Sequence, residues 1–384
     1  MMTDTWKDLR PGARVVVAMS GGVDSSVAAA LLVERGCDVV GVTMKNFCYS
    51  DVPAEYAAAA CCSLEAIEDA RSVARRLGIM HHVLDFEGPF REAVMDPFVA
   101  EYAAGRTPNP CVQCNRFVRF PQLWRKARLL GAEGVATGHY ARAVTVEDDR
   151  VELRRPLDRA KDQTFYLWGL SRTLLEHALF PLGELTKDEV RAHAAGLGLA
   201  TAEKPESQDI CFIPDGDLKG FLAREAAARP ALAATGRFAP GPIRDREGRD
   251  LGTHPGSAYF TVGQRRGLGV AAGEPLYVTG IGEDNELVVG SADELLAGGL
   301  EAEDVNWLLD SENLPRGEFR ARVQIRHRGA AAPSRIEPLP GRRALVCFDE
   351  PQRAVAPGQS VVFYDGDRLV GGGTIGRALH SVAH

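Results

Sequence analysis

One stretch near the start of the chain constrains the fold more than any other. Residues 14–26 read RVVVAMSGGVDSS, and the apolar, β-branched run 14–19 predicts a buried strand. Gly21 and Gly22 then let the backbone approach a ligand, and a helix follows whose N–H groups and dipole favour an anion. Because no Gly-Lys-Ser/Thr follows the glycines, the stretch is not a Walker A loop. We predict a phosphate-binding loop at the carboxyl end of a strand, where open α/β sheets bind nucleotides.

Polar side chains of the same loop add to its capacity to bind phosphate. Ser20, Ser25 and Ser26 supply hydroxyl donors. Asp24 is an unusual neighbour for phosphates, and its carboxylate would suit a Mg²⁺ ion that accompanies them. The alternative is a glycine turn that serine and aspartate cap without any ligand.

Strand and helix patterns alternate through the first half of the chain. Further strands are predicted over 37–44, 81–86 and 134–137, and helices over 27–36, 63–78, 89–104, 116–131, 186–198 and 217–228. Thr186 and Glu189 have the spacing of a capping box. The alternation predicts a doubly wound, parallel α/β sheet.

The pattern changes after Cys211. Glycine, proline and alternating strand patterns dominate from Gly236 onward, and Asp365-Gly366 is a hairpin signal. We predict three domains: an α/β domain over 1–212, a small β-rich central domain over 213–283 and a C-terminal β-barrel over 284–384.

Composition limits the class of protein. The chain has 384 residues, 45% of them apolar and 25% charged, as in soluble proteins of two or three domains. It has no apolar run of about eighteen residues, and its N-terminus lacks the basic and apolar regions of a signal peptide, so we expect no membrane contact. Its eight cysteines are irregularly spaced and do not form a disulfide framework. We expect a monomer in a reducing cytoplasm, where a conspicuous cysteine pair is catalytic or binds metal.

Charge is unevenly distributed. The net charge of -7 argues against a nucleic-acid partner, but residues 316–343 hold eight arginines against only Glu318 and Glu337. Residues 115–128 hold five basic residues and no acid. Such basic faces can bind a phosphate backbone, although solvated arginines on strands would have the same composition.

Three cysteines have distinctive surroundings. Cys111 and Cys114 form a C-x-x-C pair that is predicted to lie in a Pro-rich loop, TPNPCVQCN, which opens a basic helix, and Cys211 lies in ESQDICFIPDG. A thiol at a helix N-terminus near Arg116 is expected to have a lowered pKa and to be nucleophilic. The remaining cysteines are interpreted as packing residues: Cys37, Cys48, Cys61, Cys62 and Cys347.

Several long motifs occur in the order in which one known family carries them. They are MSGGVDSSVAA, GRTPNPCVQCNRFVRF, ATGHYAR, KDQTFYLWGLS, KPESQDICFIPDG and FTVGQRRGLG, followed by RVQIRHRG and PGQSVVFYDGD. The S-G-G-x-D-S string resembles the pyrophosphate loop (PP-loop) of the N-type ATP pyrophosphatases, and the whole set resembles the bacterial tRNA-specific 2-thiouridylases. The resemblance implies an adenine nucleotide alpha-hydrolase-like domain, a small central β domain and a β-barrel, in agreement with the three predicted segments.

The resemblance also implies a reaction. ATP adenylates the C2 oxygen of the wobble uridine in tRNAs for Lys, Glu and Gln, which converts a poor leaving group into a good one. A cysteine desulfurase, or a sulfur-relay protein that it feeds, loads a persulfide onto Cys211. Cys114 is the nucleophile, which either frees sulfide or forms a disulfide with Cys211. The products are 2-thiouridine, AMP and pyrophosphate.

The resemblance assigns residues to three roles. Catalysis falls to Cys114, Cys211 and Cys111. ATP would be held by Ala18, Met19, Ser20, Gly21, Gly22, Val23, Asp24, Ser25, Met44 and Gly138. The tRNA would contact Asn109, Pro110, Cys111, His139, Lys161, Asp162, Gln163, Arg326, His327 and Gln359, the first three around the target base.

Cys111 departs from the family pattern, in which an aspartate stands at this position as a proposed acid/base. The reference pKa of a thiol lies about four pH units above that of a carboxyl group. Either Cys111 moves protons instead, or Cys111, Cys114 and Cys211 bind three corners of a 4Fe–4S cluster with one iron left open. Structural zinc fits less well, since it takes four protein ligands.

Two other functions are compatible with the phosphate-binding loop. An amide-forming enzyme on the same loop needs no thiol, and a nucleotide-binding RNA chaperone without catalytic activity needs no reactive cysteine. Neither accounts for Cys114 and Cys211.

Overall fold

The computed structural model describes residues 3–47, 64–205, 210–270, 273–309, 314–315 and 317–380. The interpretations of Cys48, Cys61 and Cys62, and of Ser63 as the residue before a helix, lie outside these ranges.

Ten α-helices lie within the described ranges. They are α1 Val23–Glu34, α2 Leu64–Leu77, α3 Glu87–Phe90, α4 Asp96–Ala103, α5 Pro110–Gln113, α6 Phe120–Leu129, α7 Arg172–Leu175, α8 Lys187–Gly196, α9 Leu218–Ala228 and α10 Pro230–Ala233. Two π-helical segments, Arg91–Met95 and Cys114–Arg119, directly precede α4 and α6. No helix in the described part of the chain has the length and apolar character that crossing a membrane requires.

Eighteen strands lie in the same ranges. They are β1 Thr3–Asp4, β2 Arg14–Ala18, β3 Asp38–Lys45, β4 Met80–Asp85, β5 Gly134–Ala136, β6 Arg142–Thr145, β7 Val151–Arg154, β8 Ala178–Leu179, β9 Gly241–Arg244, β10 Asp250–His254, β11 Tyr277–Ile281, β12 Leu287–Gly290, β13 Leu296–Trp307, β14 Phe319–Gln324, β15 Ala332–Leu339, β16 Arg343–Arg353, β17 Ser360–Asp365 and β18 Arg368–Leu379.

The chain divides into two compact units. The first comprises Met1–Val94, Cys111–Gly216 and Gly366–Val370, and the second comprises Met95–Pro110, Asp217–Asp365 and Gly371–His384. The predicted domain boundaries after residues 212 and 283 stay predictions.

The first unit is built on a parallel sheet. Its strand order is β4-β3-β2-β5-β8, and all four pairings are parallel. The chain starts in the middle at β2, adds strands on one side and then adds strands on the other, which is the doubly wound arrangement that the sequence predicts. The three valines of β2 are buried, and Val15 and Val17 share a hydrophobic core with Val27 and Leu32 of α1.

Two helix ends of the first unit can be compared with their predictions. Helix α1 begins at Val23, four residues earlier than predicted, because the hydroxyls of Ser25 and Ser26 bond back to the Gly22 carbonyl within the helix's first turn. The capping box at Thr186 and Glu189 is confirmed.

Both π-helical segments are explained by a proline. Pro97 and Pro121 each lie two residues beyond the end of one segment. A proline has no N–H and its ring clashes with the carbonyl four residues earlier, so a wider turn just before it relieves the conflict. The helices predicted over 89–104 and 116–131 are therefore present, but each is interrupted by a π turn.

The second unit contains two β structures. A four-stranded sheet has the order β10-β9-β12-β11, and β12 lies beyond the predicted boundary at 283. The six strands from β13 to β18 close into a ring in the order β13-β16-β15-β14-β17-β18. The predicted C-terminal barrel is confirmed, as is the predicted hairpin, in which Gly366 adopts a φ of 57° between β17 and β18.

Candidate active site

A pocket opens at the switch point of the parallel sheet, where the strand order reverses between β2 and β5. It is formed at the carboxyl ends of β2, β3 and β5, which is where open α/β sheets bind nucleotides. The predicted residues that line it are Ala18, Met19, Ser20, Asp24, Ser25, Met44, Gly138, His139 and Gln163. Residues that the sequence did not single out also line it: Val42, Thr43, Asn46, Arg119 and Thr137.

The phosphate loop is held in shape by its own hydrogen bonds. The Ser25 hydroxyl accepts from the Ser20 amide at 3.1 Å and donates to the Gly22 carbonyl at 3.1 Å. Gly21 has a φ of 71°, and a Cβ there would lie 2.2 Å from the Ala66 carbonyl oxygen, so only glycine fits. The loop is therefore formed before any ligand binds.

Two loop side chains face away from the pocket. Ser26 is fully buried, and its hydroxyl donates to the Gly22 carbonyl and accepts from Thr201 at 3.1 Å. The side chain of Val23 packs in the hydrophobic core. Ser26 is therefore a structural residue rather than the predicted phosphate donor, and Val23 could meet a phosphate only through its backbone.

Gly138 lets the segment after β5 pack directly on the start of α1. A Cβ at Gly138 would lie 2.6 Å from the Ser25 amide nitrogen and 3.0 Å from the Asp24 Cβ. Because distances below about 3 Å require backbone movement, any side chain here would push the two walls of the pocket apart.

A partly buried ion pair fixes the loop aspartate. Oδ1 of Asp24 accepts from Nζ of Lys187 at 2.7 Å and from the Tyr140 hydroxyl at 3.0 Å. Lys187 is only 8% exposed and is the first residue of α8, directly after the capping residue Thr186. The carboxylate predicted to assist Mg²⁺ thus lies in the pocket wall with a cation already beside it, and a metal ion there would share the carboxylate with Lys187.

A second network crosses the pocket floor. Nη1 of Arg119 donates to Oδ1 of Asn115 at 2.9 Å and lies 3.3 Å from Nε2 of His139. Nδ1 of His139 is 2.8 Å from the Thr137 hydroxyl. Burial, with the nearby guanidinium, lowers the pKa of His139 to about 3, so the ring is neutral at physiological pH. A neutral ring whose Nε2 faces a cation carries its proton on Nδ1, and His139 therefore positions Arg119.

Arg119 shares a helical turn with a candidate catalytic thiol. Cys114 begins the π-helical segment that ends at Arg119, and its side chain is buried at 6% exposure. The thiol and the pocket cation therefore lie five residues apart on one helical segment. The basic composition of 115–128 was visible in the sequence, but the direction of Arg119 depends on the π turn.

The three candidate cysteines differ in exposure. Cys111 is exposed within α5, Cys114 is buried and Cys211 is half-buried. The C-x-x-C pair lies inside helical turns rather than in the predicted loop. Within the described ranges, which include all three cysteines, no group of three or more His, Cys, Asp or Glu side chains is placed to hold a metal ion. In this structure the three thiols are not gathered into the three-thiolate ligand set that a 4Fe–4S cluster needs.

The side chains of residues 161–163, which were predicted to contact tRNA, differ in what they contact. Asp162 accepts from Arg155 at 2.8 Å and from the Thr164 amide at 2.9 Å, which holds its own loop. Oε1 of Gln163 accepts from the Tyr140 amide at 2.9 Å while the side chain lines the pocket. Lys161 is half-buried.

In the second unit, the stretch that leads to Asn109 and Pro110 is held against a turn of the barrel. The Thr107 amide donates to the Pro357 carbonyl at 2.8 Å. Gly358 has a φ of 89°, and a Cβ there would lie 2.7 Å from the Thr107 nitrogen. We call this contact the Thr107–Gly358 clasp. The barrel turn can lie this close to the Thr107 backbone only while residue 358 is glycine.

The other predicted tRNA residues of the second unit lie nearby in its barrel. Gln359 directly follows the clasp, and its carbonyl accepts from Ile375 at 2.7 Å. Arg326 is exposed and His327 half-buried, and Nε2 of Gln324 donates to the carbonyls of both. The structure thus brings Asn109, Pro110, Arg326, His327 and Gln359 into one unit and the pocket residues and cysteines into the other.

Fold and site define a class: an α/β enzyme of the PP-loop ATP pyrophosphatase type with two appended β structures. Family models match in the same order. They are a tRNA methyl transferase HUP domain over residues 13–215, a tRNA methyl transferase PRC-barrel domain over 230–291 and an aminomethyltransferase beta-barrel domain over 297–375.

Similarity to curated proteins extends over nearly the whole chain. The tRNA-specific 2-thiouridylase MnmA of Geotalea uraniireducens (strain Rf4) is 48% identical over 371 residues, which cover 96% of both chains. MnmA 1 of Thermoanaerobacter sp. (strain X514) is 47% identical, covering 95% of this chain and 98% of its own. The model descriptions say methyl transferase, whereas these full-length relatives are named thiouridylases. The chain belongs to the tRNA-specific 2-thiouridylase family, whose members are tRNA sulfurtransferases.

The ion pair at Asp24 generates a first prediction. Lys187→Met should weaken ATP binding by about tenfold or more, because the Asp24 carboxylate would then repel the phosphates. Titration calorimetry with ATP measures this. Lys7→Met, which removes the more exposed pair with Glu184, should leave ATP affinity unchanged. Adding Asp24→Asn to Lys187→Met should recover part of the loss. ATP affinity in Lys187→Met equal to that of the wild type would show that the pair does not shape the pocket.

The Thr107–Gly358 clasp generates a second prediction. Gly358→Ala adds backbone strain and a clash, whereas Gly341→Ala adds the same kind of strain at a φ of 74° with no atom within 4 Å. Alanine with positive φ costs about 1–2 kcal/mol, and a forced core contact about 1–3 kcal/mol more. Hydrogen–deuterium exchange of a peptide covering Thr107 should accelerate in Gly358→Ala only. Equal exchange in the two variants would contradict the clasp.

Proposed function

We propose that this chain replaces the C2 oxygen of the wobble uridine of tRNA with sulfur, using ATP to adenylate that oxygen. One observation carries the proposal: the helical turn that begins at Cys114 also supplies Arg119 to the pocket at the switch point. A nucleotide-activating pocket and a buried thiol on one segment are what a thiolation needs, and an amide-forming enzyme would have no use for the thiol. The names of the full-length relatives support the same reading.

The first step is adenylation. Backbone N–H groups of the loop 18–25 and the N-terminus of α1 would bind the phosphates, and Met44 would meet the adenine at the end of β3. Attack of the uridine C2 oxygen on the α-phosphorus forms an O–P bond and releases pyrophosphate. Arg119, positioned by neutral His139, would stabilise the charge that develops on the α-phosphate.

The second step transfers sulfur. The terminal sulfur of a persulfide on Cys211 attacks C2, the C2–O bond breaks, and AMP leaves with the oxygen. The thiolate of Cys114 then attacks Sγ of Cys211, which forms a Cys114–Cys211 disulfide and releases 2-thiouridine. An external thiol reductant must reduce that disulfide before the next turnover. In the variant that frees sulfide first, Cys114 attacks the persulfide before C2 reacts.

The side chains of the site indicate which cofactors it could hold. When bound, Mg²⁺ would neutralise phosphate charge, and Asp24 is the carboxylate in the pocket wall that could reach it. No step is assigned to a 4Fe–4S cluster, because the described cysteines do not form its ligand set. Cys111 is exposed on α5 and would exchange a proton with the target base, in the role that aspartate has in the family pattern.

The proposed partners are tRNA and a protein that supplies sulfur. The tRNAs would be those for Lys, Glu and Gln. Asn109 and Pro110 would contact the target base, and Arg326, His327 and Gln359 would contact the tRNA from the barrel. Further contacts would come from His139 and residues 161–163. A cysteine desulfurase or a sulfur-relay protein would supply the sulfur. We further propose that the protein works as a monomer in the cytoplasm.

The thiol chemistry is tested in cells. Strains carrying Cys114→Ala or Cys211→Ala should lose 2-thiouridine from tRNA, measured by mass spectrometry of digested nucleosides, while the purified variants still bind ATP. Cys347→Ala is the matched control: this thiol lies in the barrel, burial raises its pKa, and its removal should leave thiolation unchanged. Normal 2-thiouridine in both catalytic-cysteine strains would refute the sulfurtransferase reaction.

Cys111→Asp separates the two sulfur chemistries. If Cys111 moves protons, aspartate should keep the activity, since aspartate has the acid/base role at this position in the family pattern. If Cys111 binds iron, the same change should abolish activity and release iron. We expect an active variant and an anaerobically purified wild type that is colourless with substoichiometric iron. A brown protein with about four irons per chain, the content of one such cluster, would contradict the persulfide route.

A further inference from the structure

One polar side chain of the pocket at the switch point has no role in the reaction proposed above. Asn46 lines that pocket, directly after the end of β3 and two residues beyond Met44. Only 7% of its surface is exposed, and its Oδ1 is buried without a hydrogen-bond partner in the part of the chain that the structure describes. Asn46 therefore brings to the pocket wall an acceptor that the described protein does not use.

The residues on either side of Asn46 are accounted for by contacts within the first unit. Lys45 forms an ion pair with Glu87, and Phe47 is buried with its ring centroid 6.4 Å from that of Phe90. Both partners belong to α3, so these contacts fasten the end of β3 to that helix. They hold the backbone on both sides of residue 46, which fixes the point from which its amide reaches the pocket.

A second polar side chain from the same strand provides a contrast. Thr43 also lines the pocket, but its hydroxyl donates to the Met19 carbonyl at 2.8 Å and lies 2.9 Å from Nε2 of His81. Because the hydroxyl hydrogen goes to Met19, Nε2 of His81 carries the ring proton and donates to Thr43. The Thr43 hydroxyl is thus bonded on both sides by the protein, whereas Oδ1 of Asn46 has no such bond within the described ranges.

An unpaired acceptor in a buried position needs a reason. Most buried polar atoms have a partner, because a buried atom without one has lost its bonds to water and gained nothing in return. Ligand pockets are where such exceptions are expected, since a few polar groups there fix the orientation of the ligand. The last torsion of an asparagine side chain has a broad preference, so the Asn46 amide can turn to meet a ligand.

The chemistry of an amide matches one purine better than the other. Adenine presents a donor, the N6 amine, next to an acceptor, N7, and the amide of asparagine presents an acceptor next to a donor at a spacing that pairs with both. Guanine presents two acceptors, O6 and N7, along the same edge. Whichever way the amide is turned, its oxygen would face one of the two guanine acceptors. An asparagine at this position therefore favours adenine.

We propose that Asn46 is the residue that selects adenine in the nucleotide pocket: Oδ1 accepts from the N6 amine, and Nδ2 donates to N7. The inference rests on the proposed function, in which the phosphates lie at the N-terminus of α1 and the adenine lies at the end of β3, beside Asn46. Asn46 would set the specificity for the nucleotide without touching the atoms that react.

The test measures nucleotide affinity by titration calorimetry. Two analogues of ATP each lack one of the proposed partners: purine riboside triphosphate has no N6 amine, and 7-deaza-ATP has a C–H group in place of N7. We expect the wild type to prefer ATP to each analogue by about tenfold or more, because each analogue leaves a buried amide group unpaired. In Asn46→Leu, which keeps the size of the side chain but not its polar groups, both preferences should fall by about tenfold.

Thr43→Val is the matched control. It removes a hydroxyl from the same pocket, but one that is bonded within the protein. This variant should change the affinities for ATP and for both analogues by the same factor, so that the preferences of the wild type are kept. Melting temperatures show whether each variant is folded.

The outcomes separate the alternatives. Equal affinity of the wild type for ATP and 7-deaza-ATP would overturn the inference even if Asn46→Leu did not fold. Wild-type preferences in a folded Asn46→Leu, or the same loss of preference in Thr43→Val, would overturn it as well. Unchanged preferences together with weaker binding of an unmodified tRNA transcript would assign the amide to the target uridine instead. A wild type that selects ATP in this way but makes no 2-thiouridine would refute the proposed function and leave the assignment of Asn46 intact.

Discussion

The carboxylate of Asp24 joins three segments that lie far apart in the sequence. Asp24 is in the first turn of α1, Lys187 starts α8, and Tyr140 follows β5. These segments surround the crevice at the switch point of the sheet, and their meeting point is an ion pair whose lysine is almost fully buried. Because a pair so placed is screened less than a surface pair, it can hold the walls of the pocket together. The position of the Asp24 carboxylate in the pocket wall therefore depends on a contact that exists only once α8 has docked.

Local signals in the sequence were enough for the main outline of the fold. Apolar runs located β2, β3 and β4, the alternation of strands and helices predicted the parallel sheet, and the capping residues of α8 were read correctly. Lys187 and Arg119 could not be found in this way. Lys187 meets Asp24 across 163 positions, and Arg119 turns toward the pocket because of a π segment, so neither role leaves a local pattern.

The prolines also explain why the cysteine pair lies in helical turns and not in the predicted loop. Two prolines around Asn109 suggested a loop that would carry both thiols, yet α5 begins at the second of those prolines, Pro110. A proline is well tolerated in the first turn of a helix, where its missing N–H has no partner to lose. It is Pro121, farther along, that disturbs the helix and widens the turn holding Cys114. One residue type thus starts the helix at one position and distorts it at another.

The second unit has a stronger claim to a part in catalysis than its barrel fold suggests. It holds the approach to Asn109 and Pro110 through the Thr107–Gly358 clasp. The next residue after Pro110 is Cys111, which belongs to the first unit, so the chain passes directly from residues assigned to the target base to residues that handle sulfur. Under the proposed function, the placement of the uridine would depend on residues of the second unit and its activation on residues of the first.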